Sequence, residues 1–197
     1  YPTAYDISST IEGMGGVVNA YTSKEHTGYW VKAPIVHAEK ILDVMGDMIL
    51  HSKLEKKEMD RDKKVIIEEI NMYEDMPARK VSEIFDAIIF KGSPLAVDIA
   101  GTPASVSAFT RAQVKAYMSK HYYPNRSILV ISGGIEKYIG QLKSKIESTF
   151  GGWKPGSALV RKQSALTQSK PHIHIHNKKT EQSHVCLGFR AFSYNDE

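Results

Sequence analysis

The sequence predicts an α+β fold, one mainly antiparallel sheet with helices packed on one face. Three observations predict it. Apolar residues recur at helical spacing in several stretches, and short strand-like runs stand between them, once as a hairpin pair. The composition, 42% hydrophobic and 24% charged, is enough for a core with a solvated surface. The longest apolar runs, such as Ala87-Ile88-Ile89-Phe90, are core-sized and far from the roughly 20 residues a bilayer span needs.

Residues 3–13 read as a helix carrying Ala4, Ile7 and Ile11 on one face, ended by Gly13, Gly15 and Gly16. Strand-like runs follow at 17–22 and 27–33, joined by Ser23-Lys24-Glu25-His26 as a hairpin connection. From 36 to 51, the apolar residues Ile41, Val44, Met45, Met48 and Ile49 mark an amphipathic helix. A longer helix is expected over 56–75, stopping before Pro77 because a residue preceding proline disfavours the helical region. Pro77 then opens the next helix through Val81, Ile84, Phe85 and Ile88. Residues 91–109, rich in Gly, Pro, Ser and Ala, read as a long loop with short elements. Helices at 110–122 and 136–149 bracket a strand at 127–132, and strands at 171–177 and 183–192 close the chain. The polar stretch between, with Gly151-Gly152 and Pro155-Gly156, reads as a linker.

Composition narrows the function. The formal net charge of +4 comes from lysines interleaved with acids, as in Lys53, Glu55, Lys56, Lys57 and Glu58. That is a solvated helix face; no basic patch with aromatic platforms suggests nucleic-acid binding, and no membrane partner is expected. The single cysteine, Cys186, has no internal disulfide partner and is expected to be buried and inert. The chain opens on Tyr1-Pro2-Thr3-Ala4 with neither an initiator methionine nor a leader, so either a cut or removal of the natural N-terminus is expected there. It closes on a strand that leads onward, so a cut is expected at that end.

Residues 60–75, Asp60-Arg61-Asp62-Lys63-Lys64-Val65-Ile66-Ile67-Glu68-Glu69-Ile70-Asn71-Met72-Tyr73-Glu74-Asp75, would by themselves be a solvated helix face. Their wording, an acid, a hydrophobic triplet, Glu-Glu-Ile and Met-Tyr-Glu-Asp, closely resembles one segment of the M16 (insulinase/pitrilysin-like) metallopeptidases. Residues 15–27, from Gly15-Gly16 through Asn19-Ala20-Tyr21-Thr22 to His26-Thr27, resemble the family's glycine-led strand and hairpin. Gly101-Thr102, then Phe109-Thr110-Arg111 and His121-Tyr122-Tyr123-Pro124, resemble its later segment. The likeness runs in order over nearly the whole chain.

The resemblance implies a LuxS-like metallohydrolase domain with a Zn²⁺ site built from an inverted His-x-x-Glu-His motif and a distal glutamate roughly seventy-five residues later. Two histidines four apart on one helix face take two corners of the metal, the distal carboxylate a third, and water the fourth. The metal acidifies that water, and the motif's glutamate takes its proton during attack on a peptide carbonyl. On this alignment Glu69 is the metal ligand. Glu68 competes for the role but points about a hundred degrees around the helix. Asp62, two turns back on the same face, matches a supporting acidic position that is usually Glu in the family.

Counting back from Glu69 puts the inverted motif, and with it the general base, upstream of Tyr1. Thr22-Ser23-Lys24-Glu25-His26 ends in Glu-His at the right offset, but it starts with threonine and falls in a hairpin. His172-Ile173-His174-Ile175-His176 puts three imidazoles on one strand face, a spacing that can bind a metal. The preferred reading is exposed histidines between buried isoleucines, which need no metal. His37, His51 and His121 have no partners at ligand spacing. The chain alone is therefore expected to be inactive and not to bind zinc stably.

Asn19, Ala20, Tyr21 and Thr22 correspond to the family's substrate-pairing edge, where an extended peptide adds through main-chain hydrogen bonds. Tyr29 and Trp30 are candidates to line the same region. The implied activity is a zinc endopeptidase of short or unfolded peptides; the alternative is a non-catalytic binding or scaffolding subunit. The expected organisation is a zinc-side domain over 1–155, a linker-like segment over 156–170, and closing strands over 171–197 that begin the second M16-type domain. Partners are peptide substrates, that second domain or subunit, and a homodimer through an open sheet edge. The wording most resembles bacterial members, which suggests the cytoplasm.

Overall fold

The computed structural model describes residues 1–157, 168, 170–179, 181–189 and 191. In chain order the regular elements are α1 (Ala4–Gly13), β1 (Val17–Thr22), β2 (Thr27–Lys32), α2 (Ala38–Leu50), α3 (Lys56–Glu74), α4 (Pro77–Ile89), α5 (Pro103–Ala108), α6 (Arg111–His121) and α7 (Ile139–Phe150). The fold is α+β. The chain divides into two compact units, residues 1–60 with 109–160, and residues 61–108 with 161–197.

In the first unit, Thr3 caps α1: its hydroxyl accepts from the Asp6 N–H while the Asp6 carboxylate accepts from the Thr3 N–H. Two residues past α1, Gly15 has a φ of 72°, the left-handed conformation that glycine adopts without a steric penalty. Gly16 then passes so close to α1 that a Cβ there would sit 2.9 Å from Ile11 Cγ2 and from Ala33 Cβ. β1 and β2 pair antiparallel from Val17↔Lys32 to Thr22↔Thr27. Their connection, residues 23–26, is the expected hairpin. The Ser23 N–H donates to the His26 carbonyl at 2.8 Å, and Ser23 Oγ accepts from the N–H groups of Glu25 and His26.

α2 and α7 pack together, and Leu42 and Val44 of α2 and Leu142 of α7 are all buried. Burying each such side chain contributes about 1.5–3 kcal/mol. Gly46 lies where they meet, against Thr149 and Phe150, and the Lys145 ammonium reaches Asp43 across the pair at 3.3 Å. Further along, Leu54 holds a left-handed φ of 49°. Arg111, at the start of α6, donates to its carbonyl at 2.6 Å and to that of Lys53 at 2.8 Å, supporting the turn that leads into α3.

In the second unit, Ile70 of α3 and Val106 of α5 are buried. Met76 is extended, as the residue before Pro77 must be, and Pro77 opens α4. The Lys178 ammonium donates to the Glu74 carbonyl at 2.7 Å and the Asp75 carboxylate at 2.8 Å, a cation at the carbonyl end of α3.

Among the described residues the sheet stops at β1 and β2, smaller than the sequence reading predicts. Residues 127–132 form no strand. Ile128 and Val130 are 91% and 77% exposed; among the described residues no neighbouring strand offers this apolar run a ladder. Residues 171–177 and 183–189 likewise belong to no regular element. Ile173 and Ile175 are exposed rather than buried between the histidines, and Cys186 is exposed rather than buried. Both corrections have one cause: without a pairing partner, alternation creates no inside face. Most of the expected linker, and residues 190 and 192 of the last expected strand, lie outside the described residues.

Candidate functional site

The residues singled out from sequence fall in both units, Glu69 and Asp62 in one and Asn19–Thr22 in the other. α3 is helical because it is built from Lys, Glu, Arg, Met and Ile around few poor helix formers, and it is anchored by buried Ile70. Asp62 and Glu69 share one face two turns apart, and both are exposed.

Glu69 is held by its own helix. One turn on, Tyr73 donates its hydroxyl to Glu69 Oε1. The Glu69 carboxylate raises the Tyr73 pKa, so the phenol stays protonated and remains a donor. Beneath the tyrosine, the Arg79 guanidinium stacks 3.2 Å from the ring centroid. Arg79 Nε in turn donates to Glu83 Oε1 at 3.0 Å. Lys80 pairs with Glu74, which raises its pKa, and approaches Glu83 at 3.6 Å. At the position four residues beyond Glu68 stands Met72, which has no group to donate to it as Tyr73 does to Glu69.

A carboxylate with one oxygen engaged by a phenol presents the other as a single hard donor, which fits one corner of a zinc ion. Among the described residues no group of three or more His, Cys, Asp or Glu side chains comes together, so the other corners are not made there. Three of the histidines have other company. His51 pairs with Asp47 at 3.3 Å, and His26 lies edge-on to Tyr21. His121 stacks on Tyr117 at 4.3 Å; burial first, then Lys120 and Arg126, lower its pKa.

On β1, residues 19–22 are all exposed. Asn19 Oδ1 accepts from the Ala20 N–H at 2.7 Å, which leaves the Asn19 amide NH₂ as the group free to donate elsewhere. Strand alternation and register put Asn19, Tyr21 and Trp30 on one face of the hairpin, and Ala20 and Tyr29 on the other. Tyr21 lies across Gly28, where any Cβ would strike its ring. Tyr29 is committed elsewhere: its hydroxyl bonds that of Tyr122 at 3.0 Å, and burial, then this bond, raises the Tyr122 pKa. Trp30 can therefore line the region with Tyr21, whereas Tyr29 does not.

Sequence reasoning passed over Tyr73, Arg79 and Arg111 as functional or supporting residues. The i to i+4 spacing of Glu69 and Tyr73 was a usable signal. Arg79 and Arg111 act across turns or between distant segments and leave no local signature.

Comparison with known proteins identifies the family. Residues 1–103 match the family model described as insulinase (peptidase family M16), and residues 108–197 the one described as peptidase M16 inactive domain. The chain is 33% identical over 200 residues to an uncharacterised zinc protease of Bacillus subtilis, covering 99% of this chain and 46% of that protein. It is 30% identical over 130 residues to subunit 1 of the mitochondrial cytochrome b-c1 complex of Bos taurus, covering 66% of this chain and 27% of that one. The crystal structure of an M16-like peptidase from Alicyclobacillus acidocaldarius superposes with a TM-score of 0.69 at 25% identity, over 80% of this chain and 36% of that one. The chain thus spans less than half the length of these relatives. With the first match covering more than half of the residues, the chain belongs to the insulinase family of peptidases, family M16.

Proposed function

We propose that the protein containing this chain is a zinc-dependent endopeptidase of short or unfolded peptides, to which the chain supplies the glutamate ligand and a substrate edge. One observation carries the reading: Glu69, inside the region matching the peptidase family, presents an exposed carboxylate already fixed by Tyr73. The name of the Bacillus subtilis relative supports zinc.

In this reading Glu69 takes one corner of the metal, and Asp62, a shorter acid two turns away, supports it from outside the coordination sphere. Bound zinc supplies an acidified water and polarises the scissile carbonyl. The sequence contains no His-x-x-Glu-His, so the two histidines and the general base come from outside this chain. The chain alone is inactive and does not retain zinc. Asn19, Ala20, Tyr21 and Thr22 receive an extended peptide along β1, where the Asn19 NH₂ donates to a substrate carbonyl.

Residues 1–155 act as the zinc-side domain, 156–170 as a linker, and 171–197 as the start of a second M16-type domain that encloses the peptide. The protein works in the cytoplasm, and its open sheet edge favours a homodimer. The likeness to a cytochrome b-c1 subunit, whose name is not that of a peptidase, favours a second reading as a non-catalytic binding or scaffolding subunit.

The test uses the protein at the length its own cell makes. Its intact mass and N-terminal sequence are measured first, then zinc content and peptide hydrolysis for the wild type, Glu69→Gln and Glu68→Gln. An upstream His-x-x-Glu-His, with zinc and activity lost together only in Glu69→Gln, supports the peptidase. Absence of the motif, or zinc loss in Glu68→Gln alone, overturns the assignment.

A further inference from the structure

We propose that Tyr73, clamped by Arg79, is a positioning residue that presets the Glu69 carboxylate for a divalent cation. The proposal rests on the reading of Glu69 as a metal ligand. Four side chains form a continuous line across the corner between α3 and α4. Glu83 Oε1 accepts from Arg79 Nε at 3.0 Å, the Arg79 guanidinium lies 3.2 Å from the centre of the Tyr73 ring, and the Tyr73 hydroxyl donates to Glu69 Oε1.

Each link restricts the next. An exposed glutamate on a helix samples many rotamers, and a metal that binds it must first select one. The phenol makes that selection by engaging one oxygen and leaving the other for the cation. A tyrosine on an exposed face would swing as freely as the glutamate, but here its ring is covered by a planar guanidinium whose own direction is set by Glu83. The turn at Met76 and Pro77 brings Arg79 over Tyr73: Pro77 fixes the start of α4, and Arg79 is its third residue. Lysine in place of Arg79 would keep the charge but not the planar contact.

Groups that orient a ligand in this way change metal affinity by about 10–100-fold when removed. The test measures the zinc dissociation constant by competition with a fluorescent chelator, together with kcat, KM and the melting temperature of the zinc-free form. The proteins are the wild type, Tyr73→Phe, Arg79→Lys and Glu69→Gln, at the length the cell produces. Tyr73→Phe is expected to weaken zinc by about 10–100-fold with the zinc-free melting temperature unchanged, and excess zinc should restore its kcat. Arg79→Lys should shift affinity in the same direction by less, and Glu69→Gln should not be rescued by added zinc.

If Glu69→Gln loses zinc while Tyr73→Phe and Arg79→Lys bind it as the wild type does, the positioning role is refuted and Glu69 remains the ligand. If Glu69→Gln binds zinc normally, both assignments fall. A Tyr73→Phe protein with a lowered zinc-free melting temperature would leave Arg79→Lys to decide by the same affinity comparison.

Discussion

Gly46 lies in α2 where that helix meets α7, and its replacement by alanine tests how closely they approach. A Cβ at 46 would land on Thr149 Cγ2, well inside contact distance, with Phe150 Cζ next at 3.7 Å. The backbone at 46 is ordinary helix, so alanine gains about 1 kcal/mol of helix propensity over glycine. Against this stands overpacking of about 1–3 kcal/mol, because Thr149 is branched at Cβ and has few χ1 alternatives within a helix. With a clash in the middle of that range, Gly46→Ala is destabilising by about 1 kcal/mol, a fall in melting temperature of about 2–4 °C for a chain of this size. Thr149→Ser removes the offending methyl. In Gly46→Ala/Thr149→Ser the clash disappears and the propensity gain remains, so the double variant should recover at least the wild-type melting temperature. The assay is thermal unfolding by circular dichroism of all four proteins, read as a double-mutant cycle. A coupling near zero, or a single Gly46→Ala variant more stable than the wild type, would refute the close contact.

Two further outcomes are expected. Thr110→Ala removes the hydroxyl that accepts the Gln113 N–H at the start of α6 and should cost about 1 kcal/mol, with Thr110→Ser nearly silent in the same melting assay. His121 has its folded-state pKa lowered, so the unfolded chain binds the proton more readily. Its contribution to stability is present above the ordinary imidazole range and is lost as pH falls below about 6.5 towards the folded value. His121→Gln should flatten stability against pH over that window, and an unchanged slope in denaturant titrations would contradict it.

Helix ends were legible because their signals are local. Gly15 after α1 and Pro77 at the start of α4 were read in this way; the capping pairs Thr3 with Asp6 and Thr110 with Gln113 carry equally local signals that the sequence reading passed over. The hairpin was legible for the same reason, since six residues of strand on each side close over a four-residue turn. What escaped was what depends on distant segments. Nothing near Arg111 announces that it supports Leu54, and nothing near Tyr29 announces Tyr122. The strand at 127–132 failed for a related reason. Propensity marks Ile128, Leu129 and Val130 as fit for a pleated surface, but a strand exists only where a neighbour supplies the ladder. Glu69 was found through the wording around it, while the clamp on it required Arg79 to come back over Tyr73 from the next helix.

The uncovered rows near the end of the described chain have a consequence for handling the protein. Val185, Leu187 and Phe189 are each at least 80% exposed, and Ile173 and Ile175 more than three quarters. Such runs of β-branched and aromatic residues, free of proline and low in charge, seed intermolecular sheets. Expressed alone, this chain should precipitate at concentrations that a lysine placed at 187 would make tolerable, and ammonium sulfate should drive it out of solution early. Solubility screens would therefore report on these rows before any enzymatic assay reports on Glu69.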